Sequence, residues 1–93
     1  MKHIKNLRNN ELAETWGNLH PAHMYDECIC YENHEGTLKV YSDGTVYSYN
    51  LLIGEIKKSE WLLYDFTAPG KRFYSKTTSR HVGLLKRWAS RII

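Results

Sequence analysis

The spacing of apolar residues changes twice along this 93-residue chain and divides it into three parts. Over residues 1–26 the apolar positions recur at helical spacing between irregular stretches, and over residues 27–75 they alternate with a period of two, which is typical of strands. Over residues 77–93 the spacing is again that of a helix. The pattern predicts a single α+β domain spanning residues 1–93, in which a C-terminal amphipathic helix packs on one face of an antiparallel sheet.

The first part predicts two short helical elements. Ile4 and Leu7 indicate one helical turn close to the N-terminus. A second helix is expected over residues 11–16, with Asn10 as its N-cap and Gly17 as its end, because these residue types favour those positions.

The middle part predicts a meander of about five strands. These strands are residues 27–33, 37–42, 45–53, 60–66 and 72–75. The connections are short, and short connections join antiparallel neighbours. The strongest turn signal is Asp43-Gly44, because both residue types tolerate the positive φ of a tight hairpin.

The last part predicts a helix that continues to the end of the chain. On a helical projection its apolar face comprises His81, Val82, Leu85, Trp88, Ala89, Ile92 and Ile93. Arg80, Arg87 and Arg91 form a stripe on the opposite side. The helix is therefore expected to dock on the sheet with one side and to present arginines on the other.

The charge of the chain is unevenly distributed. Hydrophobic residues at 42% and aromatics at 13% are typical of a folded protein, and the net charge is only +3. Residues 1–66 hold six basic and ten acidic side chains, a net charge of −4, whereas residues 67–93 hold seven basic and no acidic side chains. This +7 segment is the strongest functional lead, because it could contact phosphates or pair with the acidic part of the same domain.

Two segments, residues 47–56 and 73–85, resemble the signature of a family of small bacteriophage proteins. In that family a Ser-Tyr strand is followed by a YSxTTSRH turn into a helix. The matching residues are Ser48, Tyr49, Ile53, Gly54, Tyr74, Ser75, Thr77, Thr78, Ser79, Arg80 and His81. The resemblance implies a phage origin and a compact strand-then-helix unit, and it carries no catalytic assignment.

The hydroxyl-rich start of the last predicted helix could have two functions besides helix capping. Thr77, Thr78 and Ser79 could hold a phosphate together with Lys76 and Arg80, since helix N-termini attract anions. A nucleophile at Thr78 or Ser79 with His81 as its base is less favoured. For Ser79 the reason is geometric, because residues two apart on a helix point about 200° apart.

Residues 20–34 are rich in side chains that bind metals. His20, His23, Cys28 and Cys30 could supply a zinc site, with Asp26 and His34 nearby, and such a site would allow a metal-assisted enzyme. Core or surface roles are the favoured alternative, because Cys-x-Cys on a strand does not wrap a tetrahedral ion well. Both cysteines are expected to be reduced, because a bridge between them would strain the backbone.

Tyrosines are frequent in the predicted sheet. Tyr41, Tyr47 and Tyr49, interleaved with Lys39, could stack nucleobases or bind a protein partner, including a second copy of the chain. The alternative is ordinary sheet packing, because aromatic residues are good strand formers.

These observations predict a non-enzymatic phage-type binding protein without a cofactor. Its partner is expected to be a nucleic acid or a host nucleoprotein complex, which it could inhibit as anti-CRISPR proteins do. The residues expected to carry binding are Lys71, Arg72, Lys76, Arg80, Arg87 and Arg91. A protein-only interaction module or homodimer that uses the tyrosines is the second hypothesis. No apolar run is long enough for a membrane span, so we expect a cytoplasmic protein, in the host cell if phage-encoded.

Overall fold

Strands and helices of the computed structural model follow the periodicity of the sequence in the middle of the chain and depart from it at both ends. The structure describes residues 3–19, 29–64 and 76–93. Their elements are β1 (His3–Asn6), α1 (Asn9–Gly17), β2 (Ile29–Glu32), β3 (Leu38–Tyr41), β4 (Val46–Ser48), β5 (Leu51–Lys57), β6 (Glu60–Leu63), α2 (Lys76–Leu85) and β7 (Arg91–Ile92).

In the described residues one sheet contains all seven strands in chain order. Strands β2 to β6 pair antiparallel, each with the next, so the predicted α+β class and the meander are confirmed. The two outer strands are parallel to their neighbours, β1 to β2 and β7 to β6. The sheet is therefore mixed.

The core lies between the sheet and the two helices. Alternate strand residues point to opposite faces, so Leu38, Val40 and Val46 share the helix-facing side and are fully buried. The complete core cluster is Leu12, Ala13, Trp16, Leu38, Val40, Val46, Ile53, Ile56, Leu63, Val82 and Leu85. Both helices thus pack on the same face of the sheet.

Trp16 connects α1 to three parts of the sheet. Its indole N–H donates to the carbonyl of Gly44 over 2.9 Å, and its own carbonyl accepts from the indole of Trp61 over 2.7 Å. Its ring also packs on Gly54, where a Cβ would lie 3.2 Å from Trp16 Cζ2. Glycine at position 54 therefore makes room for the tryptophan.

The predicted strand over residues 45–53 is wrong in one respect, because the structure divides it into β4 and β5. The chain reverses at Tyr49 and Asn50, where Tyr49 has a φ of 58°. This turn contains neither glycine nor proline, so Asn50 and Ser48 are weak turn signals within an alternating run. The hairpin at Asp43-Gly44 is confirmed, although among its residues only Gly44 has a positive φ, of 98°.

The helical turn predicted at Ile4 and Leu7 is also wrong, because β1 occupies this region and pairs with β2. An isolated helical turn is unstable, whereas a strand gains a hydrogen-bonded neighbour. The helix predicted over residues 11–16 is confirmed as α1 and ends at Gly17. Arg8, rather than Asn10, is its N-cap, and the Arg8 backbone N–H donates to the Glu11 carboxylate over 3.0 Å.

The last predicted helix is confirmed only for its first half, because α2 ends at Leu85. The chain then turns and adds β7 beside β6, with the Ile93 N–H donating to the Leu63 carbonyl over 2.8 Å. Pairing at this edge satisfies backbone groups of β6. Ile92 and Ile93 are consequently about half exposed instead of buried on a helix face. The predicted strand over residues 72–75 lies outside the described residues.

We expect Trp16→Phe to lower the free energy of unfolding by about 2 to 3 kcal/mol, because it leaves a small cavity and an unpaired buried carbonyl at Gly44. Chemical denaturation measures the change. Trp61→Phe is the comparison, because it removes only the donor to the Trp16 carbonyl and Trp61 is only partly buried, so it should cost less. Equal losses in the two variants would contradict the role assigned to Trp16.

The β5–β6 turn should be stabilised by residues that accept positive φ. Lys58 and Ser59 have φ values of 50° and 63°, as a type I′ turn requires. The double variant Lys58→Asn/Ser59→Gly is therefore expected to raise the free energy of unfolding by about 1 kcal/mol. Lys57→Asn, in the adjoining strand, should give no gain, and a gain there would point to charge removal as the cause.

Candidate functional site

Helix α2 and the turn that follows it present a row of cations to solvent. Lys76, Arg80 and Arg87 are exposed, and Gly83 lies between the two arginines on the same side of the helix. We call Lys76, Arg80 and Arg87 the cationic surface. Helical spacing places these three residues on one side, and two helical hydrogen bonds continue beyond Leu85, from the Lys86 N–H to the Val82 carbonyl and from the Ala89 N–H to the Leu85 carbonyl.

Within residues 3–19, 29–64 and 76–93, no carboxylate lies within ion-pair distance of the cationic surface. Two ion pairs occur in these ranges, Lys57 with Glu55 at 3.5 Å and Arg91 with Glu60 at 3.9 Å. The sequence allowed the alternative that the acidic part of the chain neutralises the basic segment. Within these ranges, Arg91 is the only residue of that segment with such an ion pair.

The predicted arginine stripe is wrong for Arg91. The helix ends before this residue, and Arg91 lies on β7 opposite Leu62 of β6. Its side chain pairs with Glu60 across the end of the sheet. Lys71 and Arg72, the other two predicted binding residues, lie outside the described residues.

Three polar side chains form a buried cluster between β4 and α2. Ser48 Oγ lies 2.9 Å from Thr78 Oγ1 and 2.8 Å from His81 Nδ1, and each of the three residues is at most 1% exposed. Burial lowers the pKa of His81 below its ordinary value, and the neighbouring Arg80 charge lowers it further. The cluster therefore favours a neutral imidazole that anchors α2 to the sheet.

This cluster changes the interpretation of the hydroxyl-rich helix start. Thr78 points inward to Ser48, so Thr77, Thr78 and Ser79 do not offer three hydroxyls to one surface anion. His81 is paired with Ser48, which sequence reasoning did not single out as its partner. The only available signal was that Ser48 lies in one segment of the phage resemblance and His81 in the other.

The tyrosines predicted to bind a partner are divided between two places. Tyr41 and Tyr47 lie on the sheet face opposite the helices and contact each other edge to face, with ring centroids 5.8 Å apart at 89°. Lys39 is the cross-strand neighbour of Tyr47 on that face. Tyr49 lies instead in the β4–β5 turn, where it is 43% exposed.

Only one of the four predicted zinc ligands lies in the described part of the chain. Cys30 is 3% exposed on β2, and His20, His23 and Cys28 lie outside the described residues. Among the described residues, no three His, Cys, Asp or Glu side chains are grouped so as to hold a metal ion. The helices described are too short and too polar to cross a membrane.

Comparison with known proteins gives no match to a protein family, to a curated protein or to a solved structure. The resemblance to small phage proteins therefore stays a prediction. Any functional conclusion has to be drawn from the residues of this chain.

We expect the protein to lose stability as the pH falls below about 6.5, the ordinary pKa of histidine. The unfolded chain then takes up a proton at His81 that the folded chain resists, so the slope reaches at most about 1.4 kcal/mol per pH unit. Denaturation at several pH values measures it. In His81→Gln the slope should become shallower, whereas His34→Gln, which changes an exposed turn residue, should keep it. An unchanged slope in His81→Gln would contradict this assignment.

Proposed function

We propose that the protein is a non-enzymatic binding protein that docks on a nucleic acid, or on a nucleoprotein complex of the host, through the cationic surface of α2 and the turn that follows it. The observation that carries the proposal is that Lys76, Arg80 and Arg87 are exposed and lack an acidic partner among the described residues. Cations left unpaired in this way attract phosphates and release the counterions bound to them.

The attachment of α2 supports this proposal. Val82 and Leu85 enter the core, and His81 bonds to Ser48, so the side of the helix opposite the cationic surface is held against the sheet. A recognition surface is more effective when its helix is fixed before binding, because less conformational entropy is lost. The cations would thus be presented on a preorganised support.

The Ser48–His81 pair supports a binding role better than a catalytic one. Its 2.8 Å separation matches that of a nucleophile and its base. Both residues are at most 1% exposed, however, so a substrate could reach them only after α2 moved away. The pair is better explained as a means of holding α2 in place.

The class of partner is proposed from the phage resemblance alone. A phage protein of this size that occupies a nucleoprotein complex of the host defence would act as an inhibitor, as anti-CRISPR proteins do. The cationic surface is compatible with this role because it would contact the nucleic-acid component or the acidic groups that surround it.

A second candidate function is a protein-only interaction through Tyr41 and Tyr47. The edge-to-face pair beside Lys39 favours it, because clustered tyrosines are frequent anchors of protein interfaces. A second copy of the chain is one partner of this kind. Retention of the partner after nuclease treatment and after loss of the cationic surface would favour this candidate.

Arg80→Ala/Arg87→Ala is expected to weaken binding to DNA or RNA at least tenfold and to reduce the salt dependence. With three phosphate contacts, the slope of log K against log salt should be about −2 to −3 in the unchanged protein. Fluorescence anisotropy at several salt concentrations measures both effects.

Arg91→Ala is the matched control, because it removes the same side chain from a position where Glu60 neutralises it. Its effect should be clearly smaller than that of either Arg80→Ala or Arg87→Ala. Binding that does not respond to salt, or that responds equally to all three substitutions, would contradict the proposed surface.

A further inference from the structure

A depression lies between α1 and α2 beside the cationic surface. Its volume is about 330 Å³, at the lower end of the roughly 300–1,000 Å³ typical of small-molecule sites. It is lined by Asn10, Ala13, Glu14, Gly83, Leu84, Arg87 and Trp88. The depression is thus open, small, and partly apolar.

Trp88 forms one side of this depression and is firmly supported. A Cβ atom placed on Gly17 would overlap with the indole ring, so the ring lies directly against the end of α1. Trp88 is nevertheless only partly buried, and it lines the depression. A partly exposed aromatic ring that packing holds in place can serve as a stacking platform for a base.

Gly83 keeps the depression open. A Cβ atom at this position would have no heavy atom within 4 Å, so the space above the glycine is empty. Glycine in a helix costs about 1 kcal/mol relative to alanine. Nothing in the packing of α2 requires glycine here, whereas a larger side chain would project into the depression.

The polar groups at the rim differ in charge. Arg87 belongs both to the depression and to the cationic surface, so a phosphate bound there would have its base within reach of Trp88. Asn10 and Glu14 extend from α1 on the other side. The Glu14 carboxylate repels phosphate but accepts hydrogen bonds from the exocyclic amino groups of adenine or cytosine.

We propose that this depression receives one unpaired, amino-bearing nucleobase of a single-stranded nucleic acid, which stacks on Trp88 while its phosphate contacts Arg87. The inference rests on the proposed function and specifies its ligand. Base stacking on an aromatic side chain contributes about 1–3 kcal/mol, and bases inside a duplex are not available for it. The protein therefore prefers single strands, although a duplex carries more phosphate charge per unit length.

The test compares binding of oligodeoxyadenylate with binding of its duplex with oligothymidylate, by fluorescence anisotropy at one salt concentration. The unchanged protein should bind the single strand at least about tenfold more tightly. Gly83→Leu should abolish this preference by filling the depression. Because the leucine lies between Arg80 and Arg87, the readout is the ratio of the two affinities, in which a loss common to single strand and duplex cancels.

Gly83→Ala is the matched control, because its methyl group leaves most of the depression empty. It should keep the preference and should raise the thermal stability slightly, since alanine is the better helix former. Thermal unfolding of both variants shows whether α2 is intact.

Failure of this inference is distinguishable from failure of the proposed function. Equal affinity for single strand and duplex, or a preference that survives Gly83→Leu, would overturn the base-binding site alone, provided that Arg80→Ala/Arg87→Ala still weakens binding. No salt-dependent binding to either nucleic acid would overturn both.

Discussion

The position of helix α1 on the sheet depends on Trp16. This side chain is completely buried, and the hydrogen bonds of its indole and its carbonyl connect α1 to the β3–β4 hairpin and to β6. Both bonds are long-range, joining Trp16 to residues 28 and 45 positions away in the chain. The ring needs the space that Gly54 leaves free in β5. The packing of the Trp16 ring and its hydrogen bonds therefore favour the same position of α1 on the sheet. Such agreement is needed for a small chain to adopt one core.

Helix α2 depends on a second buried link, made by polar side chains. Thr78 and His81 bond to Ser48 of β4, and Val82 and Leu85 fill the adjoining core. A buried histidine is favourable only while it is neutral and hydrogen-bonded, because burial penalises the imidazolium. The cluster thus couples the attachment of α2 to the protonation state of one residue. It also determines which side of the helix remains outside.

The outer side of α2 carries part of the positive charge that the sequence concentrates near the C-terminal end of the chain. The basic end of the chain does not form one continuous helical stripe, because the chain leaves the helix after Leu85 and returns to the sheet. Arg91 is thereby brought to Glu60, whereas Arg80 and Arg87 stay without a carboxylate in the described residues. The same return places Trp88 against Gly17 and opens the depression between the helices. Arg87 and Trp88 both line this depression, because α2 ends at Leu85 and the chain turns there.

The sequence by itself determined the parts of the fold that depend on neighbouring residues. Alternation over β2, β3 and β6, the Asp43-Gly44 turn, the helix ending at Gly17 and the helix α2 up to Leu85 follow from local spacing and residue type. Only the tertiary structure decided the two parallel edge strands, the end of α2 and the partner of His81. Each of these depends on a group far away in the chain, as when β7 pairs with β6 or Ser48 meets His81. The free energy of pairing at a sheet edge outweighs a weak local preference for helix. The spacing of residues within an edge segment does not show which of the two is the larger.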